Sequence, residues 1–124
     1  MDDKNLIQKD LITKIVGDAR GAVGIRLCAI GVNLGIFDNL AKYGPATSQE
    51  LADRMKLDER YLREWGLGMF SLGYLDFNKV SRKLSLNKEF IPVLVEEGGM
   101  FSQKGLIEIL NSSLLPYQKL LDCF

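Results

Sequence analysis

A mainly α-helical fold carrying one small β-hairpin is what this sequence predicts, and three observations predict it. Apolar residues recur at helical spacing over most of the chain. Thr47-Ser48-Gln49-Glu50 and Asp58 mark two helix starts separated by a short turn. Two short alternating runs, residues 74–77 and 83–86, then flank a turn. With 124 residues, 47% of them hydrophobic, the chain has the size of a single domain spanning 1–124 and can build a core without metals or disulfides.

The elements follow in order. Leu6, Ile7, Leu11, Ile12, Ile15 and Val16 alternate with Asp, Lys and Gln, which predicts an amphipathic first helix whose apolar face needs a partner. A second helix is expected over roughly residues 20–32, completing a helical arm of about 5–32. Gly17, Gly21 and Gly24 each cost a helix about 1 kcal/mol against Ala, a cost that points to close packing on another helix. Gly21 and Gly24 are therefore candidate dimer contacts.

Asn33-Leu34-Gly35 reads as a bend, after which Ile36, Phe37, Leu40 and Ala41 mark a short helix stopped by Tyr43-Gly44-Pro45. Thr47 and Glu50 form a capping box for the next helix, with Leu51, Ala52 and Met55 inward. Lys56-Leu57 is a tight connection, and Asp58 caps a further helix reaching about Leu72. On that helix Leu62, Trp65, Gly66, Met69, Leu72 and Gly73 share a buried side, while Arg60, Glu64, Leu67 and Ser71 face outward. Gly73 ends it and the hairpin follows, giving a winged helix-turn-helix core over about 34–87. C-terminal helices occupy about 88–122: one over residues 90–95, a break at Gly98-Gly99, one over residues 101–115, and a last apolar segment after Pro116. Phe101 and Leu106, at helical spacing, read more readily as core than as substrate contacts.

Composition narrows the chemistry. Sixteen basic residues balance 16 acidic ones, so no global field draws the chain to phosphate or anionic lipid. Histidine is absent, which removes the commonest general base and zinc ligand. Cys28 and Cys123 have no bridging or metal-site spacing, and the charged start is unlike a signal peptide, so a cytoplasmic protein is expected. The most apolar run, residues 22–40, carries Arg26, Asn33 and Asp38, which argues against a membrane span. No catalytic, cofactor-binding or metal-ligating residue is assigned, because no paired constellation is brought together by the sequence.

Glu64-Trp65-Gly66-Leu67-Gly68 imitates the acidic-x-Gly-x-Gly turn of nucleoside cofactor sites. Such a turn needs a buried strand leading into it, and here Asp58-Glu59-Arg60-Tyr61-Leu62-Arg63 precedes it, charged and capped like a helix start. The motif is therefore mid-helix. Gly66 falls on the buried stripe, where a neighbouring helix could sit close, whereas Gly68 lies on the flank without a packing reason. Together they weaken the helix by roughly 2 kcal/mol, so a bend or a compensating contact is expected.

A stand-alone DNA-binding regulator is the alternative reading of a winged helix, with Arg60, Arg63, Lys79, Arg82 and Lys83 as its contacts. Asp58 and Glu59 would meet phosphates at the leading end, and Leu67 would be an apolar residue on the reading face. DNA is accordingly disfavoured as a partner.

The runs Leu34-Gly35-Ile36-Phe37-Asp38-Asn39-Leu40-Ala41, Gly44-Pro45-Ala46-Thr47-Ser48-Gln49-Glu50-Leu51-Ala52, Leu57-Asp58-Glu59-Arg60-Tyr61-Leu62-Arg63-Glu64-Trp65 and Gly73-Tyr74-Leu75 resemble the N-terminal winged-helix region of class I S-adenosylmethionine-dependent methyltransferases, especially small-molecule O-methyltransferase-like ones. The similarity runs from about Ala22 to Leu115. It implies a non-catalytic module that dimerises and covers the substrate pocket of a following Rossmann-like catalytic domain, which is absent here. It also implies that the parent binds S-adenosylmethionine and a small-molecule methyl acceptor, that this chain holds no cofactor, and that the chain is a fragment. Leu67 and Phe101 are then candidate interdomain or substrate-lid contacts, and a homodimer is expected. Gly66 and Gly68 depart from the family's usual larger residues.

Overall fold

The computed structural model of the chain describes residues 2–114 and 116–124. Its first element corrects the expectation of two N-terminal helices. Helix α1 runs unbroken over Asp3–Leu34, 32 residues and roughly 48 Å long. Nothing in that stretch removes a backbone donor, so the glycine cost alone does not interrupt the helix, and its C-terminal half gains compensating contacts. A Cβ on Gly24 would lie 3.7 Å from the Tyr74 ring, and one on Gly31 would stand 2.6 Å from Phe37 Cε2 and 2.7 Å from Trp65 Cζ2. Gly17 and Gly21, by contrast, face open space. The helix runs two residues past its expected end, through Asn33 and Leu34, and stops at Gly35, whose φ of +71° turns the chain and whose N–H is returned to the carbonyls of Gly31 and Val32.

Helix α2 (Ile36–Tyr43) buries Ile36, Phe37 and Leu40 and stops at Gly44. Helix α3 (Ser48–Met55) carries the capping box: Thr47 Oγ1 accepts from the Glu50 N–H at 3.1 Å, and the Thr47 N–H donates to Glu50 Oε2 at 2.8 Å. Helix α4 (Glu59–Ser71) starts on Asp58, whose carboxylate accepts from the Tyr61 N–H. It buries Leu62, Trp65, Gly66 and Met69, while Leu72 is half-buried and Gly73 is exposed beyond the helix end, outside the buried stripe.

The hairpin is β2 (Asp76–Asn78) and β3 (Lys83–Ser85), with β2 starting two residues later than its alternation suggests. A third strand, β1 (Ala46–Thr47), escaped the sequence reading because two residues show no period. The sheet is antiparallel in the order β1-β3-β2, pairing Ala46 with Leu84 and Leu84 with Phe77. This strip ties the α2–α3 connection to the wing.

A short 3-10 turn (Lys88–Phe90) leads into α5 (Ile91–Leu94), followed by α6 (Lys104–Ser113), which lies against α1, and α7 (Tyr117–Leu121). The expected helix over residues 101–115 thus starts three residues later, and its expected last residue, Leu115, lies outside the described residues. Phe101 and Leu106 are not core: they are 64% and 51% exposed, and Ile107 is the side chain of α6 that is buried. One apolar cluster joins Cys28, Ala29 and Val32 of α1 to Phe37, Leu51, Trp65, Met69, Leu84, Leu94 and Ile107. No single described helix is long and apolar enough to cross a membrane.

Candidate functional site

The surfaces able to do something surround the α1–α4 crossing. Trp65 fixes that crossing. Its indole N–H donates to the carbonyl of Leu27 at 2.8 Å, and its ring packs tilted on Phe37 with centroids 5.6 Å apart. A Cβ on Gly68 would lie 3.1 Å from Leu27 Cδ1, so the second glycine of the helix faces α1. Gly66 meets a strand rather than the helix neighbour expected: Leu84 of β3 fills the space a Cβ would take. Each glycine of the Trp65-Gly66-Leu67-Gly68 run therefore has its own packing contact, and the run holds helix and wing together from within a helix, without the strand-led geometry of a cofactor turn.

Two apolar cavities open along the crossing. The larger, about 510 Å³, is lined by Leu27, Ile30 and Leu34 of α1 with Leu57, Tyr61 and Trp65, and has Asp58 and Glu64 at its rim. A shallower one of about 400 Å³ lies between Val16, Ala19 and Val23 of α1 and Gly68 and Leu72. Arg20 bridges beside it, donating to the Ser71 carbonyl at 3.3 Å. The sequence reading missed these residues, because the helix expected over residues 20–32 was read by its glycines and Leu34 was placed in a bend. Their 3-4 spacing was the available signal.

The outward face of α4 forms a third cavity of about 270 Å³ with α3 and the wing, and it brings together Arg63, Arg82 and Leu67. Arg63 lies 3.5 Å from Glu59, which also accepts from the Ser48 hydroxyl at 2.7 Å, so an acidic group sits inside the basic cluster. Arg60 and Lys79 are exposed and do not line this cavity, and Lys83 is half-buried in β3, opposite Thr47 and Asn78. Leu67 is on the rim at 37% exposed. Phe101 stands on the segment before α6, outside all of these cavities. Gly24 is buried inside the chain against Leu72 and Tyr74, whereas Gly21 is exposed.

Chemically reactive groups are few. Among the described residues no group of three or more His, Cys, Asp or Glu is placed to hold a metal ion. Cys28 is fully buried, and burial pushes its thiol up to about 11 despite a hydrogen bond with Tyr74 that pulls the other way. Burial, and then the facing Cys28, raise the Tyr74 phenol as well. Both groups stay protonated at neutral pH, which suits packing and not nucleophilic attack.

Comparison with known proteins bears on this arrangement. A family model described as Rv2258c-like winged HTH domain matches residues 21–95. Among solved structures, PigF with SAH superposes with a TM-score of 0.71 at 18% identity, over 90% of this chain and 32% of that one. The O-methyltransferase family 2 protein from Planctomyces limnophilus, in complex with apigenin, gives 0.65 at 27% identity, over 82% and 30%. The mitomycin 7-O-methyltransferase MmcR gives 0.68 at 18% identity, over 91% and 32%. The chain thus spans about a third of the length of each. No curated protein matches it by sequence.

Proposed function

Because this chain belongs to the Rv2258c-like winged helix-turn-helix family, we propose that it is the non-catalytic N-terminal dimerisation and substrate-lid domain of an S-adenosylmethionine-dependent methyltransferase acting on a small molecule. The observation that carries the reading is the pattern of coverage: nearly all of this fold is found in about a third of each methyltransferase chain, one of them with SAH. In this reading the rest of the parent is a Rossmann-like domain that binds the cofactor and methyl acceptor, and this module contributes apolar walls. Leu67 and Phe101, both exposed, are the interdomain or lid contacts, and the homodimer contact lies on the exposed α1 arm that carries Gly21. Gly24, packed against Leu72 and Tyr74 of its own chain, is the less accessible of the two glycine candidates for that contact. A reducing cytoplasm suits two free cysteines.

The DNA-binding alternative has less support. The cleft that would meet phosphates holds Glu59 between Ser48 and Arg63, and Asp58 and Glu64 flank the same helix. One experiment separates the two. The longer chain, with this region followed by its next domain, transfers a labelled methyl group from S-adenosylmethionine to a small phenolic acceptor set, while the 124-residue chain shows no salt-sensitive shift of duplex DNA. Tight DNA binding that weakens steeply with salt would establish the regulator instead.

A further inference from the structure

We propose that the outer face of α1 is a self-pairing seam, occupied by α1 of a second copy of this chain lying antiparallel across a two-fold axis at Val23. The proposal rests on the dimerisation reading and adds the face and the register. Ile12, Val16, Ala19, Val23, Leu27, Ile30 and Leu34 follow one another at spacings of four, three, four, four, three and four residues. At ~100° per residue they form a single stripe, on the side of the helix opposite Cys28, Ala29 and Val32, which enter the core. The mean spacing of roughly 3.67 residues is that of an 11-residue pattern, so the stripe stays on one face of a straight helix.

The spacing reads the same in both directions. An antiparallel copy centred on Val23 therefore sets Ile12 against Leu34, Val16 against Ile30, and the small Ala19 against the larger Leu27, all at once. A two-fold interface requires this self-complementarity, whereas an unrelated helix of a catalytic domain places no such demand on the spacing. Most of the stripe is open to solvent, with Ile12 60%, Val23 53% and Leu34 50% exposed, while Leu27 is half-buried where α4 crosses. Six of its seven residues line the two cavities beside α4, three in each, and Ile12 lies beyond both. The arm thus carries apolar side chains over the space that its own chain leaves open elsewhere along the same helix.

The test uses the chain with exposed Cys123 replaced by Ser; Cys28 is buried. Val23→Cys places two thiols at the axis, within disulfide reach for helices packed at ~8–10 Å, and Gly17→Cys places them on the far side. Oxidation with copper phenanthroline is expected to join most Val23→Cys chains and few Gly17→Cys chains. Val23→Asp is expected to weaken dimerisation at least tenfold in sedimentation equilibrium while the helical circular dichroism is unchanged. A chain that sediments as a monomer throughout overturns both the seam and the dimerisation reading. A dimer in which Gly17→Cys links as readily as Val23→Cys overturns the seam alone.

Discussion

Trp65 and Leu27 are joined across the α1–α4 crossing by an indole N–H donating to a mid-helix carbonyl at 2.8 Å. The bond puts a polar group of a buried side chain to use and fixes the angle at which the arm leaves the winged helix. The same tryptophan closes the floor of the large cavity. Its loss therefore affects both the fold and the surface that a partner would touch.

Trp65→Phe removes the bond and leaves part of the ring's volume unfilled. A hydrogen bond contributes ~1 kcal/mol and a partly emptied core site adds a similar amount or more, so a loss of about 2–3 kcal/mol is expected. Urea unfolding followed by far-ultraviolet circular dichroism reads it, and a change below half a kilocalorie would mean the crossing is held by other contacts.

The two glycines of α4 respond oppositely to alanine. At Gly66 a Cβ would overlap Leu84 Cδ1, with Cδ2 at 3.2 Å and Cγ at 3.3 Å, so the whole side chain obstructs it. Gly66→Ala is expected to cost ~1–3 kcal/mol, as overpacking does, with part of that recovered in Gly66→Ala/Leu84→Ala. At Gly68 the single obstacle is the tip of Leu27 at 3.1 Å, and removing a helical glycine gains about 1 kcal/mol. Gly68→Ala is expected to be neutral or stabilising, and thermal melts of the two variants should move apart.

Cys28 and Cys123 differ sharply in reactivity. The native chain is expected to react with one equivalent of a water-soluble disulfide reagent at neutral pH, at exposed Cys123, and with a second only after unfolding. Burial raises Cys28 from 9.0 to about 11 in the folded chain, so between these values the unfolded chain binds fewer protons. Stability is then full below pH 9 and declines as pH rises through about 11. Cys28→Ser should flatten this alkaline decline, measured as unfolding midpoints against pH.

Features resting on nearest-neighbour chemistry were legible in the sequence: the Thr47–Glu50 box, Asp58 as a cap, Gly35 and Gly44 as stops. The long α1 was not, because glycine propensity is a weak local term and packing at Gly24 and Gly31 outweighs it. The meeting of Gly66 with Leu84 joins residues far apart in sequence, and no periodicity announces it. Phe101 and Leu106 show the same gap from the other side: helical spacing identifies an apolar face and leaves open what covers it. The cavities along α1 went unread because the region was divided into two helices, which hides that Val16, Val23, Leu27 and Leu34 lie on one continuous stripe.

The capping box supplies an acid-side test. The Thr47 N–H donating to Glu50 holds that carboxyl below its ordinary value, with Lys83 and Arg54 adding smaller attractions. The folded chain thus binds a proton at Glu50 less readily than the unfolded one. Its contribution is present above the unfolded carboxyl's range and is lost as pH falls through the lowered value. Glu50→Gln keeps an acceptor for the Thr47 N–H and removes the titration, so its unfolding midpoint should fall less steeply with acid than that of the natural chain. Thr47→Ala removes the reciprocal bond to the Glu50 N–H and should cost ~1 kcal/mol at neutral pH. Because β1 follows the chain into this cap and pairs with Leu84, that loss should also loosen the wing, read as faster amide exchange at Leu84. Unchanged exchange there would show that the strip and the helix start are held independently.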